Sequence, residues 1–180
     1  MTDKKLQLQE LLDYMSIEKQ SLCRAVLNDF SSEFEVYPGS ITKHQAWKGG
    51  YRDHVEEAMN IGVALYSALD QKRKLSFPLG DALFILFLHD LDKLICYREK
   101  NGLFVRVQHH DSVDIPRLLE QRYSYFVTPE EINAIRYVHG EGNDYHPTNR
   151  VMMSLGAFVH CCDTISARIW FDFGRDQKCW

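Results

Sequence analysis

The 180-residue sequence contains no run of five like charges and no visible basic stripe. Its 21 Lys and Arg against 25 Asp and Glu leave a net charge of −4. Nucleic-acid surfaces ordinarily cluster positive charge, so this balance favours a small-molecule partner over a long nucleic acid. No apolar run reaches the length that crosses a bilayer. The polar, helix-like start MTDKKLQLQELLDY does not have the form of a signal peptide. The five cysteines (Cys23, Cys96, Cys161, Cys162 and Cys179) include no CxxC pair and suggest no disulfide framework. No internal repeat or low-complexity segment is found. These absences point to a soluble protein of a reducing cytoplasm, with no membrane partner.

What is present suits one domain, residues 1–180, with a hydrophobic fraction of 45% and room for a sizeable core. Apolar residues at 8, 11, 12, 15, 22, 26 and 30 approximate one helical stripe from Gln7 to Phe30. Gly39 to Gly50 reads as a loop. A second helix covers Tyr51 to Leu69. Pro78 and Gly80 break the chain, and Asp81 is placed to cap a third helix, which is apolar all round and therefore central. In ICYREKNGLFVRV, Asn101-Gly102 between two alternating runs predicts a hairpin with a type I′ turn near residues 95–107. Helical pattern resumes over Ser112 to Tyr123. Thr128, Pro129 and Glu131 form a capping-box signature opening a helix to about His139. A last helix covers Val151 to about Phe171. The expected fold class is all-α, five or six helices with one small hairpin.

Ionisable residues lie on apolar faces of several of these helices. His54 shares a face with Ala58, Ile61 and Leu65; His139 with Ile132 and Ile135; Asp163 with Val159. The seven apolar residues Ala82 to Leu88 run directly into His89 and Asp90. Any one such residue is ordinarily a hydrogen-bonded core or boundary group. Four helices doing this together is different, because each buried polar group needs a partner. A shared divalent cation would serve all of them. Imidazole with carboxylate suits Zn, Mn, Co, Fe or Ni. Cys161 and Cys162, about 100° apart on a helix, read as small buried residues and not as ligands.

The ordered set GGYRDHVEEA, then LHDLDK with its His 35 positions after His54, then IRYVHGE and FVHCCDTISARI, resembles the HD superfamily of metal-dependent phosphohydrolases. The resemblance covers roughly Thr42 to Arg168. It implies that His54, His89, Asp90 and Asp163 ligate one metal ion. For a second ion it implies His139 and either His110 or its neighbour His109, with Asp90 bridging. It implies that Lys93, with Asp90 part of the catalytic machinery, lies near phosphate. Asp92 stands where the family often keeps Gly and has no role derivable from the sequence. Some nucleotidases of the superfamily carry Glu at the position of Lys93, so the resemblance assigns no general acid.

The loop PGSITKHQAWKGGY resembles both compact phage-type dATP triphosphohydrolases and the HD domain of 3′–5′ exoribonucleases. In this loop and the helix after it, Trp47 could stack on a base, while Lys43, His44, Lys48 and Arg52 could meet phosphates. An acidic single domain suits a free nucleotide better than a polynucleotide. The leading expectation is a deoxynucleoside triphosphate phosphohydrolase, dATP-preferring, using metal-bound hydroxide, in the cytoplasm (the host cytoplasm if phage-encoded). The alternatives are a phosphodiesterase or 3′–5′ exonuclease on cyclic or short oligonucleotides, and a non-catalytic nucleotide-binding protein. Ten Phe, nine Tyr and three Trp, with the aromatic end FDFGRDQKCW, favour a homo-oligomer.

Overall fold

The computed structural model describes residues 5–109 and 113–170. The fold is mostly α with one hairpin, as the sequence pattern predicts. The expected N-terminal helix from Gln7 to Phe30 is two helices, α1 (Leu8–Leu12) and α2 (Ile17–Asp29), and α3 (Ser31–Val36) follows them. The break has a local cause. Ser16 takes an extended conformation, and its side chain accepts from the Lys19 backbone N–H, which starts α2 afresh. One apolar stripe therefore continues across α1 and α2 although the backbone does not.

Helix α4 (Gly50–Lys72) begins at a glycine pair whose two members do different work. Gly49, the N-cap, has φ 79°, a left-handed conformation that favours glycine. A Cβ on Gly50 would lie 1.9 Å from the Gln45 carbonyl oxygen, so only a residue without a side chain fits.

Helix α5 (Leu79–Leu88) is the centre of the molecule, and every residue from Ala82 to Leu88 is completely buried. Helices α4 and α9 (Ser154–Thr164) pack against it and each other, and α8 (Pro129–Tyr137) packs on α5 and α9. Each large apolar side chain buried here contributes about 2 kcal/mol. That burial offsets the cost of carrying polar groups at the end of α5. One expectation is corrected. Asp81 does not cap α5: the N-cap is Pro78, and Asp81 lies in the first turn. Its carboxylate instead accepts from Lys19 Nζ at 2.5 Å.

After α5 the chain turns at His89 and Asp90 into the short α6 (Leu91–Cys96), then β1 (Tyr97–Lys100) and β2 (Leu103–Arg106). The strands pair antiparallel, with Lys100 opposite Leu103. Asn101 and Gly102 have φ of 54° and 78°, as a type I′ turn requires. The hairpin docks through Phe104, whose ring centroid lies 5.2 Å from that of Tyr37. Helix α7 (Ile115–Tyr123) is capped by Asp114, and Thr128 with Glu131 closes the expected capping box on α8. The last helix is α only to Thr164 and continues as a π turn over Ile165–Ile169. No helix among the described residues is long and apolar enough to cross a membrane. Cys162 is buried as expected, but Cys161 is exposed, because it lies on the outer face of α9.

Lys19 ties three helices together. Besides Asp81 of α5, it meets Glu131 of α8 at 2.8 Å, and Glu131 also accepts from Tyr125 Oη at 3.0 Å. Burial would raise the Glu131 carboxyl, but the Lys19 ammonium and the Thr128 N–H outweigh it and hold the group below its ordinary value. A carboxyl held low in the fold contributes stability above about pH 4.5 and loses it as pH falls through the folded value. Glu131→Gln should therefore cost about 2–3 kcal/mol at pH 7 and flatten the acid limb of the stability profile. Thermal melts from pH 3 to 7 check this; parallel wild-type and variant curves would contradict it.

Candidate metal centre

Four elements deliver the cluster. His54 lies one turn into α4, His89 ends α5, Asp90 is the N-cap of α6, and Asp163 lies near the end of α9. All four are buried. One ligand atom from each of His54, His89 and Asp90 falls within 4.8 Å of the others, a group that can hold a metal ion. Asp163 Oδ1 approaches both imidazoles, at 3.2 Å from His54 Nε2 and 3.6 Å from His89 Nε2. Asp90 Oδ2 lies 3.5 and 3.3 Å from the same two nitrogens.

The tautomers follow from the outer partners. His89 Nδ1 is 2.6 Å from the Leu86 carbonyl, which can only accept, so Nδ1 carries the proton. His54 Nδ1 is 3.0 Å from Ser166 Oγ. The Ser166 hydroxyl donates to Glu57 Oε2, so its oxygen accepts from His54. Gln45 Nε2 also donates to Glu57, at 2.8 Å. Both imidazoles therefore aim Nε2 inward, and the two nitrogens are only 3.1 Å apart. Lone pairs at that distance need a positive species: a proton on one ring or a cation shared by both.

The field around them supports a cation. Burial lowers the affinity of His54 for a proton, and neighbouring His89 lowers it further. Burial also acts against a charged His89, but the Asp90 and Asp163 carboxylates outweigh it and raise the ring to about 10. Asp90 is held well below the usual carboxylate range; burial opposes this, and Lys93 and His89 overcome it. Two imidazole nitrogens and two carboxylates form a donor set suited to a divalent transition ion. Binding one displaces the proton that the carboxylates favour on His89.

His139 stands at the mouth, just after α8, with its side chain 54% exposed. Its Nδ1 is 3.2 Å from Asp163 Oδ2, and its Nε2 is 3.6 Å from Asp90 Oδ1. It thus meets the outward oxygens of the carboxylates that face His54 and His89. Lys93 Nζ pairs with Asp90 Oδ2 and donates to the Gly39 carbonyl at 2.6 Å. His44 packs beside His54, ring centroids 4.8 Å apart and planes tilted by 45°, and its Nε2 is buried without a hydrogen-bond partner. Burial first, then His54 and Lys93, lower its ring to about 3.

Other expected residues lie elsewhere. Arg52 is two residues before His54, about 200° around α4, and pairs with Glu35 and with Glu56. Trp47 donates its indole N–H to Asp53 at 2.7 Å, and Trp47 and Lys48 line a separate cavity of about 640 Å³ against the hairpin. His109 is exposed beyond β2. His110 lies outside the described residues.

Compared with known proteins, the chain matches no family model, no curated protein and no solved structure.

Sequence reading missed Ser166, Glu57 and Gln45, which orient His54. Two of them were within reach of the spacing rule: Ser166 follows Asp163, and Glu57 follows His54, by three residues on a helix. The π turn after Thr164 then buries Ser166 completely. Outer partners of metal-binding histidines typically contribute about 10–100-fold in metal affinity. Ser166→Ala should weaken Mn²⁺ or Zn²⁺ binding by about tenfold or more without changing the helical content. A chelator-competition titration measures this, and unchanged affinity would remove the orienting role.

Proposed function

We propose that the chain is a metal-dependent phosphohydrolase acting on nucleotides, and specifically a deoxynucleoside triphosphate phosphohydrolase that prefers dATP. The observation that carries this reading is the pair of inward-facing imidazole Nε2 atoms, 3.1 Å apart and walled by Asp90 and Asp163. The donor set fits one divalent transition ion at His54, His89, Asp90 and Asp163, and His139 adds a donor toward a second. Such an ion supplies a lowered pKa for coordinated water and polarises a phosphoryl oxygen. The motif resemblance to HD phosphohydrolases and the acidic net charge support a free nucleotide as substrate.

The protein's own groups have separable parts in the chemistry. His89 and His54 are locked in the tautomer that presents Nε2 to the cluster. Lys93 carries three donors. Asp90 and the Gly39 carbonyl occupy two, leaving one N–H for a phosphoryl oxygen. The ammonium is thereby fixed in place before substrate arrives, the arrangement that stabilises developing charge most effectively.

Protein stripped of metal and reloaded with Mn²⁺ or Co²⁺ should turn over at least one deoxynucleoside triphosphate. Product analysis shows whether tripolyphosphate or single phosphates leave. Asp90→Ala and Asp163→Ala should lose both bound metal and at least about a hundredfold in turnover. Absence of turnover across dNTPs, NTPs and dNMPs, with metal bound, would reject the hydrolase reading.

A further inference from the structure

The π turn after α9 does more than bury Ser166. Arg168 follows Asp163 by five residues, which a regular α-helix would place about 140° around the axis. Here the chain closes an i→i+5 bond, from the Trp170 N–H to the Ile165 carbonyl at 3.4 Å, and Arg168 comes to line the same cleft as Asp163. That cleft, of about 250 Å³, lies between the end of α9 and the loop before α4, which contributes Lys43 and His44. His139 and Asp163 border it, so it adjoins the metal centre. Among the loop and α4 cations expected at phosphate, Lys48 and Arg52 lie elsewhere and Lys43 is here. Arg168 is the cation that sequence reading did not single out.

Positive charge in this cleft is uncompensated. Asp163 is the one carboxylate of its lining, and both its oxygens are taken: Oδ1 by His54 and His89, Oδ2 by His139. Lys43 and Arg168 are exposed, and neither pairs with a described carboxylate. Two neutral donors stand beside them. The Thr164 hydroxyl lines the cleft, and His44 Nε2 is buried without a partner. A neutral imidazole carries its proton on either nitrogen, so His44 Nε2 is available to donate. His160, held by Nδ1 donating to the Val138 carbonyl at 2.7 Å, completes the wall.

We infer that this cleft binds a phosphate chain, with Lys43 and Arg168 as specificity-determining residues. The metal centre and Lys93 take the phosphoryl group under attack, and the two cations take its neighbours in the chain. This assignment rests on the nucleotide reading above and sharpens it. Each further phosphate brings negative charge and acceptor oxygens. The planar Arg168 guanidinium engages two oxygens of one phosphate, while the Lys43 ammonium acts as a point charge. A nucleotide with a single phosphate has nothing to place between them. The site thus distinguishes a chain of phosphates from one phosphate through residues that do not touch the metal cluster.

Calorimetry on the full-length protein, with Mn²⁺ kept in excess over each probe so that the centre stays loaded, reads binding separately from turnover. Inorganic phosphate and pyrophosphate are the first probes. Wild type should bind pyrophosphate about tenfold or more tighter than phosphate. Lys43→Ala/Arg168→Ala should reduce that preference to about threefold or less and leave phosphate affinity unchanged, and Lys43→Arg/Arg168→Lys should keep it. Both side chains are exposed, so truncating them leaves the fold intact, which circular dichroism checks. Deoxyadenosine 5′-monophosphate should bind wild type and the alanine variant alike, because its one phosphate stays at the centre. Equal affinity of wild type for phosphate and pyrophosphate, a preference undiminished in the alanine variant, or a matching loss of monophosphate binding would overturn the inference. Cation-dependent pyrophosphate binding without nucleotide turnover would sustain it and remove the hydrolase reading. Turnover with pyrophosphate binding indifferent to the two cations would do the reverse.

Discussion

The head-on approach of His54 Nε2 and His89 Nε2 is the constraint on which the rest of the structure depends. It is unfavourable without positive charge between or on the rings. Everything around it makes that charge welcome. Asp90 and Asp163 supply negative charge from two further helices. The Leu86 carbonyl and the Ser166–Glu57–Gln45 chain fix both tautomers. The buried α5 beneath holds the cluster in a low-dielectric setting, where these charges act strongly.

The surrounding fold converts that local demand into long-range order. Each member of the cluster comes from a separate element, so the cluster cannot form until α4, α5, α6 and α9 are packed. The Gly49-Gly50 start of α4 and the tight contact of Gly50 with Gln45 bring the loop carrying His44 against His54. At the opposite end of α5, Lys19 joins α2, α5 and α8 by charge. Thus α5 is apolar from Ala82 to Leu88 and pinned by charged contacts at both ends.

Local signals in the sequence carried much of this fold. Asn101-Gly102 specified the hairpin, and Thr128 to Glu131 specified the start of α8, because those devices act within four residues. The all-round apolar run from Ala82 to Leu88 announced the central helix. Other features depend on partners distant in the chain. Nothing near Asp81 discloses Lys19, so its carboxylate looked like a cap. The split of α1 from α2 was hidden because the apolar stripe runs across it. At the site, the four buried ligand candidates stood out as polar residues on apolar faces, and the order of their motifs suggested a ligand set. The orienting residues did not stand out, since a serine and a glutamate on a helix are ordinary until the π turn and α4 bring them together. Trp47 and Arg52 looked like substrate contacts from their loop and helix neighbourhood, but their hydrogen bonds go to Asp53 and to Glu35 and Glu56.

X-ray absorption at the metal edge of the Co²⁺- or Zn²⁺-loaded protein tests the central claim most directly. The account predicts nitrogen and oxygen scatterers at about 2.0–2.2 Å, with the outer-shell signature of two imidazoles, reduced to one in His89→Ala. A first shell containing sulfur at about 2.3 Å, or one without imidazole, would contradict it.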